Sequence, residues 1–200
     1  MPELWFMRHG QATHNIDAQA RGDTAYYDPI HLDSELTEEG WRQVRAARAS
    51  LPTIGGDAFH AVYCSPLRRC RQTLCGVAQT DFADRQLVFL DDRLMEPQGA
   101  HPCNRRIDTA SLRAAVPATW NLDGVADENP YTAGEESRDA FRQRVVDWSA
   151  AMAGWHDDDH RILIIAHHDW IRDWFQVHQG RTVSLRNAEV VRAVWPVING

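Results

Sequence analysis

Arg161-Ile162-Leu163-Ile164-Ile165-Ala166, followed at once by His167-His168-Asp169, is the stretch that decides the fold. After Arg161 five apolar residues run without alternation, and three of them are β-branched isoleucines. A strand wetted on one face alternates apolar with polar, whereas a strand covered on both faces does not have to. The run therefore predicts a central strand of a parallel sheet. Ligands of open parallel sheets bind outside the carboxyl ends of the strands, so His167, His168 and Asp169 fall where a site is expected.

Working outward, residues 4–7 form a second apolar run that ends at Arg8-His9-Gly10. Residues 58–63 predict a strand that leads to Ser65, Arg68 and Arg69, with Pro66 suited to the first turn of the next helix. Residues 87–90 predict another, leading to Asp91, Asp92 and then Glu96. Residues 189–195 predict a last strand, placed at an edge or end by Pro196. Helices lie between them. Thr37 caps one with Glu38 and Glu39 in its first turn and Trp41, Val44, Ala47 and Leu51 on one stripe. Ser137 caps a second, carrying Phe141, Val145, Trp148 and Met152. Residues 169–177 predict a third, with Trp170, Ile171, Trp174 and Phe175 inward.

Strands alternating with helices predict an α/β fold, a doubly wound, mostly parallel sheet flanked by helices. Its 200 residues fit a single domain over residues 1–200. Residues 97–136 interrupt the pattern: Pro97, Gly99, Pro102, Pro117, Gly124, Pro130 and Gly134 break any period. This excursion is expected to act as a cap, with one short helix near residues 109–115.

All 21 basic residues are arginine, and the sequence has no lysine. Schiff-base chemistry, a pyridoxal anchor and a P-loop lysine are excluded, while planar guanidinium forks suited to phosphate or carboxylate are plentiful. A net charge of −7 argues against nucleic acid and anionic membranes as partners. It leaves room for one small cationic pocket, because charges beyond about 8–10 Å are screened. Cys64, Cys70, Cys75 and Cys103 form no CxxC pair, and the first three read as small buried hydrophobes. Residues 2–7 run straight into Arg8-His9-Gly10, without the regions of a secretory leader, so a reducing, cytoplasmic setting is expected.

Two arginines, two histidines and a carboxylate at one rim make a phosphate pocket with a nucleophile and an acid. The motifs then become recognisable. Arg8-His9-Gly10-Gln11 resembles the signature of the histidine phosphatase superfamily, the phosphoglycerate mutase-like proteins. Leu36-Thr37-Glu38-Glu39-Gly40-Trp41 resembles that family's LTxxG block, and Ser65-Pro66-Leu67-Arg68-Arg69 its SPLxR block. Leu94-Met95-Glu96 is similar to its acid segment and Ile164-Ile165-Ala166-His167 to its second histidine. His14-Asn15, Gly40-Trp41 and Pro102-Cys103 look most like plant and fungal members of mutase-like type.

The resemblance implies that His9 is a nucleophile phosphorylated on its imidazole and that Arg8 and Arg69 clamp the phosphoryl oxygens with charge-assisted hydrogen bonds. It implies that Gly10 lets the backbone approach the phosphate, that His167 and Asn15 donate to it, and that Glu96 protonates the leaving oxygen and then activates water. His168 stands where the family usually has glycine, and is expected to line the pocket or offer its backbone N–H. Asn104 stands where the family has an acid. No metal and no cofactor are called for, since the arginines neutralise charge. The reaction expected is hydrolysis of a phosphomonoester. The alternatives are mutase-type return of the phosphoryl group to substrate and a non-catalytic phosphate-binding module.

Some residues remain open at this level. Asp91 and Asp92 compete with Glu96 as the acid, and Arg68 with Arg69 as the clamp. His14 either packs or touches substrate. His156-Asp157-Asp158-Asp159-His160 tempts a metal reading but precedes the central strand, at the far end from the pocket, and reads better as a solvated turn. Of the eight tryptophans most read as core, with Trp120 and Tyr131 the aromatics to consider for substrate contact. Arg105, Arg106 and Arg113 are available for a second anionic group, which would suit a small phosphorylated substrate such as a sugar phosphate or phosphorylated acid; a phosphoprotein is the other partner class considered.

Overall fold

In the computed structural model, residues 1–52, 59–78, 87–129 and 134–195 are described. Six strands form one sheet: β1 (Glu3–Arg8), β2 (Ala61–Cys64), β3 (Leu87–Asp91), β4 (Asn121–Gly124), β5 (Arg161–Ala166) and β6 (Val190–Val194). Their order is β4-β3-β2-β5-β1-β6, parallel throughout except for β6, which runs antiparallel to β1. The isoleucine-rich run thus lies inside the sheet, between β2 and β1, with its five apolar residues fully buried.

Period-two alternation divides the core into two layers. Leu4, Phe6, Tyr63, Ile162 and Ile164 face one way, against Phe141, Val145 and Trp148 of helix α5 (Arg138–Met152) and Trp170, Ile171 and Trp174 of helix α6 (His168–Gln179). Trp5, Met7, Val62, Leu163 and Ile165 face the other way, against Val44 of α2 (Glu38–Ala47) and Cys70 and Leu74 of α3 (Arg68–Val77). Helices on both faces of a mostly parallel sheet are the doubly wound arrangement the sequence predicts. The caps behave as expected too: Thr37 Oγ1 accepts the Gly40 N–H at 2.9 Å, and Ser137 Oγ accepts that of Ala140 at 3.2 Å. Among the described residues no helix is long and apolar enough to cross a membrane.

Register fixes the site. Arg8 pairs with Ala166 and Cys64 with Ile165, so β1, β2 and β5 end at one level. The next residues continue the ladder: His9 N–H donates to the Ala166 carbonyl at 3.1 Å and Ser65 N–H to that of Ile165 at 3.0 Å. His9, Ser65 and His167 therefore leave the sheet side by side.

The structure departs from the sequence reading in several places. β4 was not anticipated: Asn-Leu-Asp-Gly has poor strand propensity, yet it pairs with β3 at the sheet edge. It lies within the excursion, beyond the short helix α4 (Thr109–Ala114). Residues 59 and 60 precede β2 rather than belonging to it, and residue 58 lies outside the described residues. Trp120 is buried in the core, too far into the sheet layer to serve as a substrate contact, and Tyr131 lies outside the described residues. Trp155 is 69% exposed. Cys64, Cys70 and Cys103 are buried, but Cys75 is exposed, on the solvent side of α3.

Candidate active site

A cavity of about 420 Å³ opens at the carboxyl ends of the strands. Arg8, His9, Arg69 and Glu96 line it together with His14, Asn15, Tyr26, His101, His168 and Asp169. Helix α1 (Thr13–Arg21) and the 3-10 turn Gly22–Tyr27 supply one wall. The segment from Glu96 through Asn104 supplies the other.

His9 is 3% exposed. Its Nδ1–H donates to the Gly10 carbonyl at 2.7 Å, so the imidazole lone pair lies on Nε2, where it accepts the Arg69 Nε–H at 3.2 Å. Burial, and then the charges of Arg69 and Arg8, hold the ring pKa well below its usual value. The ring is a neutral base with its lone pair turned toward a guanidinium.

Gly10 earns its place differently from the expectation. A Cβ on Gly10 would lie 2.7 Å from Val44 Cγ2 and 2.8 Å from the Gly40 carbonyl oxygen, so the missing side chain makes room for α2 and not for a phosphate. Gly10 is not part of the cavity wall. Its N–H donates to Thr73 Oγ1 at 3.0 Å, and Thr73 in turn donates to the Arg69 carbonyl at 2.7 Å. The turn that orients His9 is thereby tied to the helix that carries Arg69.

The three arginines of the SPLxR region separate cleanly. Arg69 is 1% exposed; its guanidinium donates to the Cys103 carbonyl at 2.5 Å, to Asn104 Oδ1 at 3.1 Å and to His167 Nδ1 at 3.2 Å. Arg68 pairs with Glu35 on the surface. Arg71 pairs with buried Asp33. Arg8 points one N–H at the Leu185 carbonyl, 2.7 Å away, and its buried Nε has no partner. Burial lowers its pKa, partly offset by Glu96.

His167 stands behind Arg69 rather than in the cavity wall. Because Nδ1 accepts from Arg69, its Nε2–H donates to Ser65 Oγ at 2.9 Å. The ring is fully buried, and burial followed by Arg69 keeps it neutral. His168 does line the cavity, half-buried, with Nδ1 unpartnered. Asn15 lines it as well, but its Oδ1 accepts the Ala12 N–H at 2.9 Å and its Nδ2 donates to His14 Nε2 at 3.0 Å, so the side chain is already engaged.

Of the three carboxylates the sequence offers as the acid, one reaches the cavity. Asp91 is paired with Arg93, and Asp92 with Arg106 at 2.8 Å; neither lines the cavity. Glu96 does. Its Oε1 accepts the Asp169 N–H at 3.2 Å at the start of α6, and its buried Oε2 has no partner. Burial, reinforced by the Asp169 carboxylate, raises its pKa to about 7. A carboxyl so placed gives up or takes a proton near neutrality.

The sequence reading missed Tyr26, His101 and the grip of Asn104 on Arg69, and it placed Ser65 at the rim without its bond to His167. Only Asn104 carried a signal, as the residue standing in place of an acid. At the other end of β5 the 156–160 run is a partly exposed turn: the His160 ring stacks on His60 at 4.2 Å, and Asp157, Asp158 and Asp159 are exposed. Among the described residues no group of three or more His, Cys, Asp or Glu is gathered to hold a metal ion.

The model of the histidine phosphatase superfamily (branch 1) matches residues 4–195. Phosphoglycerate mutase-like protein 1 of Arabidopsis thaliana is 28% identical over 141 residues, covering 58% of this chain and 50% of its own length. The chain spans about half the length of that curated relative. The ecdysone phosphate phosphatase of Bombix mori, in complex with tungstate, superposes with a TM-score of 0.65 at 17% identity, over 96% of this chain and 88% of its own. A mycobacterial glucosyl-3-phosphoglycerate phosphatase complexed with VO3 gives a TM-score of 0.60 at 22% identity, over 96% and 92%. At these identities the two solved structures speak to a shared fold.

Proposed function

Since this chain belongs to the histidine phosphatase superfamily, we propose that it is a phosphatase hydrolysing a phosphomonoester through a phosphohistidine at His9. The observation that carries the reading is the His9 ring itself, whose unprotonated Nε2 abuts Arg69 in the same cavity as a carboxyl pushed up to about 7.

In the first step the Nε2 lone pair attacks phosphorus. The bond from phosphorus to the ester oxygen breaks, and the Glu96 proton goes to the departing alkoxide. Arg8 and Arg69 hold the non-bridging oxygens, so charge that accumulates there meets fixed cations. The unpartnered Arg8 Nε supports that part. His167 braces Arg69 from behind by accepting a guanidinium N–H at Nδ1, so its part in holding phosphate is carried through Arg69. His168 stands in the wall with Nδ1 and its backbone N–H at the start of α6. In the second step Glu96 takes a proton from water, the water oxygen attacks phosphorus, and the P–N bond breaks to return neutral His9 and phosphate. Both ends of the 97–136 excursion are tied together at Gln98 and Glu136, and its first residues form a wall of the cavity, which supports the cap reading for that portion.

The name of the Arabidopsis relative favours a second reading, in which the phosphoryl group returns to substrate. A panel of phosphomonoesters that includes 3-phosphoglycerate, with and without its bisphosphate primer, tests both. Hydrolysis yields free phosphate that disappears in His9→Ala; isomerised product replaces this reading with the second, and phosphate release unchanged in His9→Ala removes His9 from the chemistry.

A further inference from the structure

Arg8 and Arg69 are the cations among the described residues that line the cavity, and the phosphatase reading, on which this inference rests, commits both to one phosphoryl group. The three arginines that the sequence offered to a second anion are placed elsewhere. Arg106 is buried, gripped by Asp92 and by the Ala126 carbonyl. Arg105 is exposed, its guanidinium on the Gly99 carbonyl at 3.3 Å, and Arg113 is exposed on α4. None of the three lines the cavity.

Rings and uncharged groups fill the wall beyond the arginines. The rings of Tyr26 and His101 lie 5.4 Å apart at a 32° tilt, and the His14 ring lies 5.9 Å from Tyr26. His14 is 4% exposed, and Asn15 donating to its Nε2 leaves the proton on Nδ1, a buried N–H with no acceptor. That N–H is open to an oxygen acceptor on a bound molecule. The one carboxylate in the outer wall is Asp169, already shared between Arg138 and Arg172. A second anionic group on a substrate would meet Asp169 and, among the described lining residues, no further arginine, a burial that is costly without a partner. A flat ring would instead meet the faces and edges of Tyr26 and His101. The cavity volume lies within the range of roughly 300–1,000 Å³ typical of small-molecule sites, so a phosphoryl group alone leaves it largely empty.

We propose that the site takes the phosphomonoester of an uncharged, ring-bearing alcohol and turns away phosphorylated acids and bisphosphates.

The test uses phosphonates, which carry no hydrolysable ester bond. Calorimetric titration of the wild-type chain with 4-methylbenzylphosphonate, 4-carboxybenzylphosphonate and inorganic phosphate reads the preference directly. The methyl compound is expected to bind at least about tenfold tighter than either of the others, a factor of ten being 1.4 kcal/mol. Tyr26→Ala and Tyr26→Leu are expected to shrink its margin over inorganic phosphate. Equal or tighter binding of the carboxylate, no margin over phosphate, or losses in both variants that fall equally on phosphate would each overturn the proposal. Binding as expected without turnover of any aryl phosphate would instead sink the phosphatase reading and leave this one standing.

Discussion

The Glu96 carboxyl meets the first turn of α6 through one oxygen only: Oε1 accepts the Asp169 N–H at 3.2 Å, while Oε2 is buried without a partner. Burial disfavours the carboxylate and the neighbouring Asp169 charge adds to the effect, so the proton is held up to about pH 7. The proposed first step needs that proton. For an alkyl phosphate, kcat/KM is therefore expected to fall as pH rises through about 7, toward tenfold per pH unit. Glu96→Gln should slow the alkyl ester by about 10²–10⁴-fold and remove this pH dependence, while 4-nitrophenyl phosphate, whose leaving group needs no proton, loses far less. Steady-state rates on both substrates across pH decide it, and equal losses on the two esters argue against Glu96 as the acid.

Buried neutral histidines make the fold acid-sensitive. His9, His14 and His167 all have pKa values below the usual 6.5, that of His14 at about 2, with burial the first cause and Arg69 the next. For such groups the stability is present above the unfolded value and lost as pH falls through it. Glu96 has the opposite sign: its folded value is raised, so its contribution is present below the unfolded value and lost as pH rises toward about 7. Between about pH 4.5 and 6 the three buried rings leave the unfolded chain binding more protons than the native one, an effect Glu96 offsets in part and His156, His168 and His178 add to, so stability should fall as pH falls. Urea midpoints measured through that window test this. His14→Gln should reduce the slope, and a midpoint that stays flat on acidification contradicts the burial of neutral rings.

Arg144 acts on the acid segment from behind. It donates to the carbonyls of Arg93 and Met95 at 2.9 and 2.7 Å, and to both oxygens of Glu136 at 2.8 and 2.6 Å. Glu136 also accepts the Gln98 N–H at 3.0 Å. Both charged side chains are largely buried. Arg144→Met leaves the Glu136 carboxylate without its counter-charge, which costs about 3–5 kcal/mol. For a chain of this size that lowers Tm by roughly 10 °C. Thermal unfolding checks the loss, and a shift of only a degree or two would mean the pair is dispensable.

Most of what positions the site can be read in the sequence because it is carried by local patterns. The unbroken run 162–166 marks a strand covered on both faces, and the residues after it and after β1 and β2 necessarily emerge at one rim. Arg69 is distinguished from Arg68 by its place in the SPLxR block, and α3 turns Arg68 outward to Glu35. What stays hidden depends on contacts between distant segments. Tyr26 and His101 meet 75 positions apart with no periodicity to announce them. The use of Gly10 was misjudged because the helix that crowds it, through Gly40 and Val44, lies 30 residues on. β4 escaped notice because edge pairing to β3, not intrinsic propensity, holds Asn121–Gly124 extended.

The central claim concerns one nitrogen. With Nδ1–H tied to the Gly10 carbonyl at 2.7 Å, the lone pair of His9 lies on Nε2, which exchanges the Arg69 Nε–H for phosphorus when it attacks. Brief exposure of the wild-type chain to a phosphoryl donor, quenching in base, and phosphorus NMR with peptide mass spectrometry locate the label. The account predicts an acid-labile, base-stable phosphoryl group on Nε2 of His9, absent from His9→Ala. A label on Nδ1, on another residue, or still present in the His9→Ala chain would contradict it.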